Sequence, residues 1–244
     1  MSTYFRNYPL VRYKFGDDEA PALFQNLSTY VDILDTIADD SNYYHKYTIL
    51  SGDRPDTVSY KLYGTTDYYW TFFLMNKHIK ESGWPISDRH LTENITKSYP
   101  HQVITVEDDI AATQFQIGTT VEGSSSGSTG VIVDRNLDLG QMIISSAQDF
   151  TDGEVIRAGA DLSLQSYSRV YSHVSQPNSV HHYENTDGEY VDINPFDQTS
   201  ASGFIPVTVI ERYIAKNDSL KSINVLRPDA VERISNEYQK LLRS

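Results

Sequence analysis

The sequence predicts an α+β fold with three parts: a strand-helix-helix unit, a small inserted antiparallel β module, and a C-terminal strand-helix segment. Three observations carry this expectation. Between Tyr47 and Leu74 a β-like run, a turn cluster and two stretches of helical apolar spacing follow one another. Residues 105–165 change composition abruptly, with short β-branched runs set between Gly, Ser and Asp turns. After Arg227-Pro228-Asp229, the apolar positions Val231, Ile234, Tyr238 and Leu241 recur at helical spacing.

In the first part, Tyr47-Thr48-Ile49-Leu50 reads as a strand that ends in the turn cluster Ser51-Gly52-Asp53. Asp56 suits the N-cap of a helix in which Val58 and Leu62 share a face, and Gly64 suits its left-handed C-terminal position. Thr66 or Asp67 would cap a second helix, with Tyr69, Trp70, Phe73 and Leu74 on overlapping faces. So short a helix cannot direct Tyr68, Tyr69, Trp70, Phe72 and Phe73 into one core. Some of these rings must face another surface. The run His101 to Val106, HQVITV, is the candidate for a closing strand.

Tyrosine marks the boundaries of the second part. Residues 1–104 hold 12 of the 18 tyrosines and residues 105–165 hold none. The middle stretch also counts ten acidic residues against Arg135 and Arg157, a net of −8 within a whole-chain −13. Phe115-x-x-Gly118-x-x-Val121 recurs as Phe150-x-x-Gly153-x-x-Ile156, which predicts two equivalent strand-and-turn units paired in one small sheet or barrel. The module is similar to Gly/Thr/Ser-rich β modules of tailed-phage structural proteins. Ser222–Leu226 reads as a strand, and Pro228, tolerated at the first helical position, opens a helix to about Leu242. The expected divisions are 1–106 for an N-terminal arm and strand-helix-helix domain, 107–165 for the inserted acidic module, and 166–244 for the C-terminal region.

A net charge of −13 disfavours nonspecific nucleic-acid binding, which depends on Lys and Arg neutralising phosphates. With no cysteine, disulfides, thiol nucleophiles and Cys-ligated zinc are excluded. The start MSTYFRNYPL lacks the apolar core of a secretion signal, and no 18-residue apolar run occurs, so no membrane role is expected.

Several motifs mimic chemistry. Gly123-Ser124-Ser125-Ser126-Gly127 matches G-x-S-x-G, but a nucleophile elbow needs a strand before Ser125 and a helix after it, and turn residues surround this one. His181-His182 with Glu184 and Asp187 is the densest set of potential metal ligands. Adjacent strand residues point to opposite faces, so both imidazoles could reach one ion only through a bend. Asp39-Asp40 and Asp108-Asp109 read as solvated loop acids rather than a catalytic pair. No catalytic residue, metal or cofactor is expected.

The stretch YTILSGDRPDTVSYKLYGTTDYYWTFFLMN resembles a LysM motif, with a strand ending in Gly-Asp, a helix closing on Tyr63-Gly64, and Leu74-Met75-Asn76 ending the second helix. More of the chain resembles the LysM-containing baseplate wedge protein of contractile-tailed phages. The likeness rests on Tyr63-Gly64, Tyr69-Trp70, Asn76 and Trp84, on the opening YFRNYPLVRYKF, and on the terminal NDSLKSINVLRP with its helix. It implies a non-enzymatic virion protein of the tail baseplate, made in the host cytoplasm, that joins neighbouring wedges. The implied partners are other wedge proteins, including a small lysozyme-fold-like subunit and larger wedge subunits. Tyr68, Phe72 and Trp84 are the expected contact residues, with Tyr4, Phe5 and Tyr8 at a second surface. The alternative is peptidoglycan binding, in which the loop Ser51 to Pro55 and the Trp84 region would hold an N-acetylglucosamine polymer.

Overall fold

The structure is a computed structural model that describes residues 8–14, 21–26, 42–107, 113–146, 148–159, 166–193 and 203–243. The first elements are β1 (Leu10–Tyr13), β2 (Ala22–Gln25), β3 (Tyr44–Thr48), α1 (Pro55–Tyr63), α2 (Trp70–Met75), α3 (Lys77–Ser82) and α4 (Asp88–Ser98). There follow β4 (Gln102–Val106), β5 (Thr120–Gly123), β6 (Thr129–Asn136), β7 (Gln141–Ser146), β8 (Val155–Ala158) and β9 (Ser166–Ser175). The last are β10 (Val180–Glu184), β11 (Tyr190–Val191), β12 (Ile205–Thr208), α5 (Val209–Ser219), β13 (Ser222–Leu226) and α6 (Pro228–Arg243). This mixture of helices and antiparallel strands is the expected α+β class. The chain forms two compact units, Met1–Asp88 with Lys216–Ser244, and Arg89–Ala215.

In the first unit, β3 pairs antiparallel with β13, from Ser222 opposite Thr48 to Leu226 opposite Tyr44. Alternation along β13 sends Ile223 and Val225 to one face, where they bury against Ile49, Val58, Phe72 and Ile79. The closing strand of this unit is therefore β13, and the expectation for His101–Val106 is corrected. That segment does form a strand, β4, but both its edges are hydrogen-bonded inside a barrel, to β7 and to β9.

Local chemistry sets the helix ends. Pro55 takes the first turn of α1 and Arg54 is the N-cap without a side-chain bond, so Asp56 lies inside the helix and not at its cap as expected. Gly64 has φ 72° and returns its N–H to the Tyr60 carbonyl, the left-handed stop read from the sequence. The second helix begins at Trp70, later than a Thr66 or Asp67 cap would place it, because Thr65 Oγ accepts the Asp67 N–H and holds a turn there. The terminal helix α6 begins at Pro228 as expected and buries Ala230, Val231, Ile234 and Tyr238. Its Tyr238 ring stacks on Trp70 at 5.0 Å between centroids.

Asn76 sits between α2 and α3 with its side chain buried. Its Oδ1 accepts the Asn224 N–H at 2.8 Å, while its Nδ2 donates to the Asn224 and Phe72 carbonyls, each at 2.8 Å. One carboxamide thus pairs the β13 residue on the side away from β3, as a third strand would.

In the second unit, six strands close a barrel in the order β4-β7-β6-β5-β8-β9. Its interior holds Ile104, Val106, Phe115, Val121, Ile132, Met142, Ile144, Phe150, Ile156 and Val170. The expected repeat is present in three dimensions. Gly118 (φ 86°) donates to Ile132 O, and Ile132 N–H returns to Thr119 O; Gly153 (φ 81°) donates to Val170 O, and Val170 N–H returns to Glu154 O. Each glycine takes the third position of a tight turn that a residue with a Cβ would strain. β5 and β8 then pair directly, Gly123 opposite Ile156. β4 and β9, which lie outside 107–165, are two of the six strands that close the barrel. A separate sheet orders β11-β10-β12.

Candidate partner-binding surface

The aromatic cluster of the first unit is mostly a core. Phe72 is fully buried, stacked against Tyr63 at 6.1 Å and tilted on Trp84 at 5.9 Å, so the expectation that it meets another subunit is corrected. Facing β13, it stands where α2 closes on the sheet. Trp84 is half-buried, with its ring against Phe72 and Phe73 and its Nε1–H donated to the Asp53 carbonyl at 2.7 Å. That bond brings together the two loops expected to line a glycan site, but it turns the indole inward.

Tyr68 is half-buried, edge-on to Tyr63 at 5.7 Å and packed against the cluster of Leu226, Ala230, Val231 and Ile234. Burial and the nearby Glu232 carboxylate raise its phenol above the ordinary range. Tyr8 is half-buried beside Trp70, Leu74 and Tyr238. Tyr4 and Phe5 lie outside the described residues, as do Asp39, Asp40, Asp108 and Asp109.

Among the described residues, the aromatic count overlooks one exposed apolar surface. β1 and β2 form a hairpin in which Val11 faces Phe24 and Arg12 faces Leu23. Leu10 is 64% exposed and Leu23 60%, with Val11, Tyr13 and Phe24 also exposed. The signal was present as β-like alternation in PLVRYKF, but exposure is a tertiary property and has no mark in the sequence.

The motifs that mimic chemistry resolve into structural roles. The Gly123–Gly127 segment is a turn after β5 that closes over a buried carboxylate, Glu154. Ser125 and Ser126 give it both backbone N–H groups and both hydroxyls at 2.8–3.1 Å, and the Thr151 N–H adds a contact at 2.6 Å. Burial alone would raise the carboxyl, but the donors from Ser126, Thr151 and Ser125 prevail and hold it at about 2. A carboxylate so weakly basic does not activate Ser125.

The adjacent histidines depart from strand alternation. The register of β10 against β12 shifts between Val180 and His182, and this irregularity brings the two rings into edge contact with Nδ1 atoms 2.9 Å apart. His182 Nε2 lies 2.9 Å from Glu184 Oε1, and Tyr190 stacks on the same ring at 4.6 Å. Both Nδ1 atoms and His182 Nε2 are thus engaged, and no group of three potential ligands is placed to hold an ion among the described residues.

Residues 13–113 match the family model of base plate wedge protein 53. Over this stretch the chain is similar to a phage baseplate wedge protein, and the match supports a structural baseplate role. The matched stretch includes β2, β3, the helices α1 to α4 and β4; most of the barrel and the whole of β13 and α6 lie beyond it. No curated protein matches the chain. Among the described residues no helix is long and apolar enough to cross a membrane.

Proposed function

We propose that this chain is a wedge protein that binds other subunits of its own wedge and joins neighbouring wedges during baseplate assembly. The family match over residues 13–113 carries the reading. It is supported by the hairpin within and beside that stretch, whose Leu10 and Leu23 side chains share one exposed face. Exposed apolar side chains grouped in this way are what a protein partner covers. The partners would be the small lysozyme-fold-like subunit and the larger wedge subunits, and separate surfaces on one chain would set them in register by raising each other's effective concentration.

The test is co-purification of co-expressed wedge subunits with the Leu10→Asp/Leu23→Asp variant. Recovery of the complex should fall at least tenfold while the melting temperature of the isolated subunit stays unchanged. Normal recovery would remove the hairpin from the interface. A second reading, a LysM-type glycan binder, draws on the bond that ties Trp84 to the Asp53 loop. Saturable retention on insoluble peptidoglycan, lost on Leu50→Asp, a change at the exposed residue that leads into the Ser51 to Pro55 loop, would favour it instead.

A further inference from the structure

The first unit carries an open cleft of about 600 Å³ between the β3–β13 ribbon and α3. Lys46 stands opposite Asn224 in the ladder, and Ser222 lies two residues along the same face. Lys77, His78 and Glu81 form the facing wall. Lys77 is loosely paired with Glu81 at 3.8 Å. Among the described residues, neither Lys46 nor His78 has an ion-pair or hydrogen-bond partner. On a chain of net charge −13, a cleft lined by two lysines and a histidine against one carboxylate is a local reversal of sign.

We propose that this cleft binds an acidic segment of a partner polypeptide, with separate carboxylates received by Lys46 and by the Lys77–His78 wall. Two features favour spaced carboxylates over a phosphate. Phosphate sites combine lysine point charges with clustered backbone N–H groups or an arginine fork. Here the Asn224 N–H is already taken by Asn76, and no arginine lines the cleft. What remains are the side-chain donors of Lys46 on one wall and of Lys77 and His78 on the other. Glu81 would repel a dense polyanion more than it would two spaced charges. The inference is independent of the baseplate reading, because it stands on the cleft alone.

The experiment uses the full chain and fluorescent hexaglutamate at low salt, with tripolyphosphate as a second probe. Hexaglutamate has the same sign as the protein's net charge, so saturable binding reports the cleft and not the overall field. Binding should shift the His78 imidazole resonances, weaken at least tenfold in Lys46→Gln/His78→Gln, and be unchanged in Lys240→Gln. Undiminished binding in the double variant, or no saturable binding in the native chain, would overturn the proposal. Tighter binding of tripolyphosphate, lost in the same variant, would reassign the cleft to phosphate.

Discussion

At the scale of single residues, Glu154 shows how a charge can act as a structural centre. Its oxygens lie within 2.7 Å of where a Cβ on Gly123 would stand, so the glycine is required by proximity and not by its backbone angles. Glu154→Gln keeps the shape but sets an NH₂ group against donors, at a cost of about 2–3 kcal/mol. Urea denaturation of the variant checks this. The pH dependence has a definite sign. The folded carboxyl is held at about 2 against an ordinary value of 4.5, so its stabilisation is complete above 4.5 and is lost as pH falls towards 2. Native protein should lose barrel stability across that window, and Glu154→Gln should lose less. None of this was legible at Glu154 itself. The serine turn could be recognised, but the carboxylate that organises it lies some thirty positions away and reads like any other of the module's acids.

Among the elements, those that announce themselves locally came through. Gly64 ends α1, Pro228 opens α6, Ser222–Leu226 is a strand, and the Phe-x-x-Gly repeat reappears as two matched turns. Partner choice did not. HQVITV and SINVL have equal claims to pair with β3, and only the three-dimensional arrangement gives one to the barrel and the other to the helical unit. Phe72 failed for a related reason: on a helix of six residues, spacing alone does not say which face meets β13. Asn76 links these elements, and its replacement tests the strand-mimic role. Asn76→Ala leaves the outward N–H and C=O of Asn224 unpaired and should cost about 2–3 kcal/mol. Asn76→Asp should cost more at neutral pH, since a carboxylate oxygen would face the Phe72 and Asn224 carbonyls. Lowering the pH should restore part of that loss, because a protonated oxygen can donate again. Guanidinium denaturation of both variants at two pH values separates the outcomes.

For the whole molecule, the matched stretch and the folding units do not coincide. Residues 13–113 contain β3 and its helices but lack β13, and they contain β4 without the barrel strands that flank it. The first unit therefore depends on Lys216–Ser244, residues far along the chain. Burying Ile223, Val225 and Leu226 contributes roughly 1.5–3 kcal/mol each. Together these approach the 5–15 kcal/mol that holds a whole domain folded. Hydrogen bonds from Tyr63 Oη to the Leu226 carbonyl and between Asn217 and Ile86 would go with them. A chain ending at residue 215 should consequently keep slow amide exchange in the barrel strands β5 to β8 while losing protection throughout α1 and α2. Exchange measured by mass spectrometry distinguishes this from the alternative, in which β3 and its helices hold without β13. Protected α1 and α2 amides in the shortened chain would show that the family stretch folds by itself and that the C-terminal strand serves only to extend it.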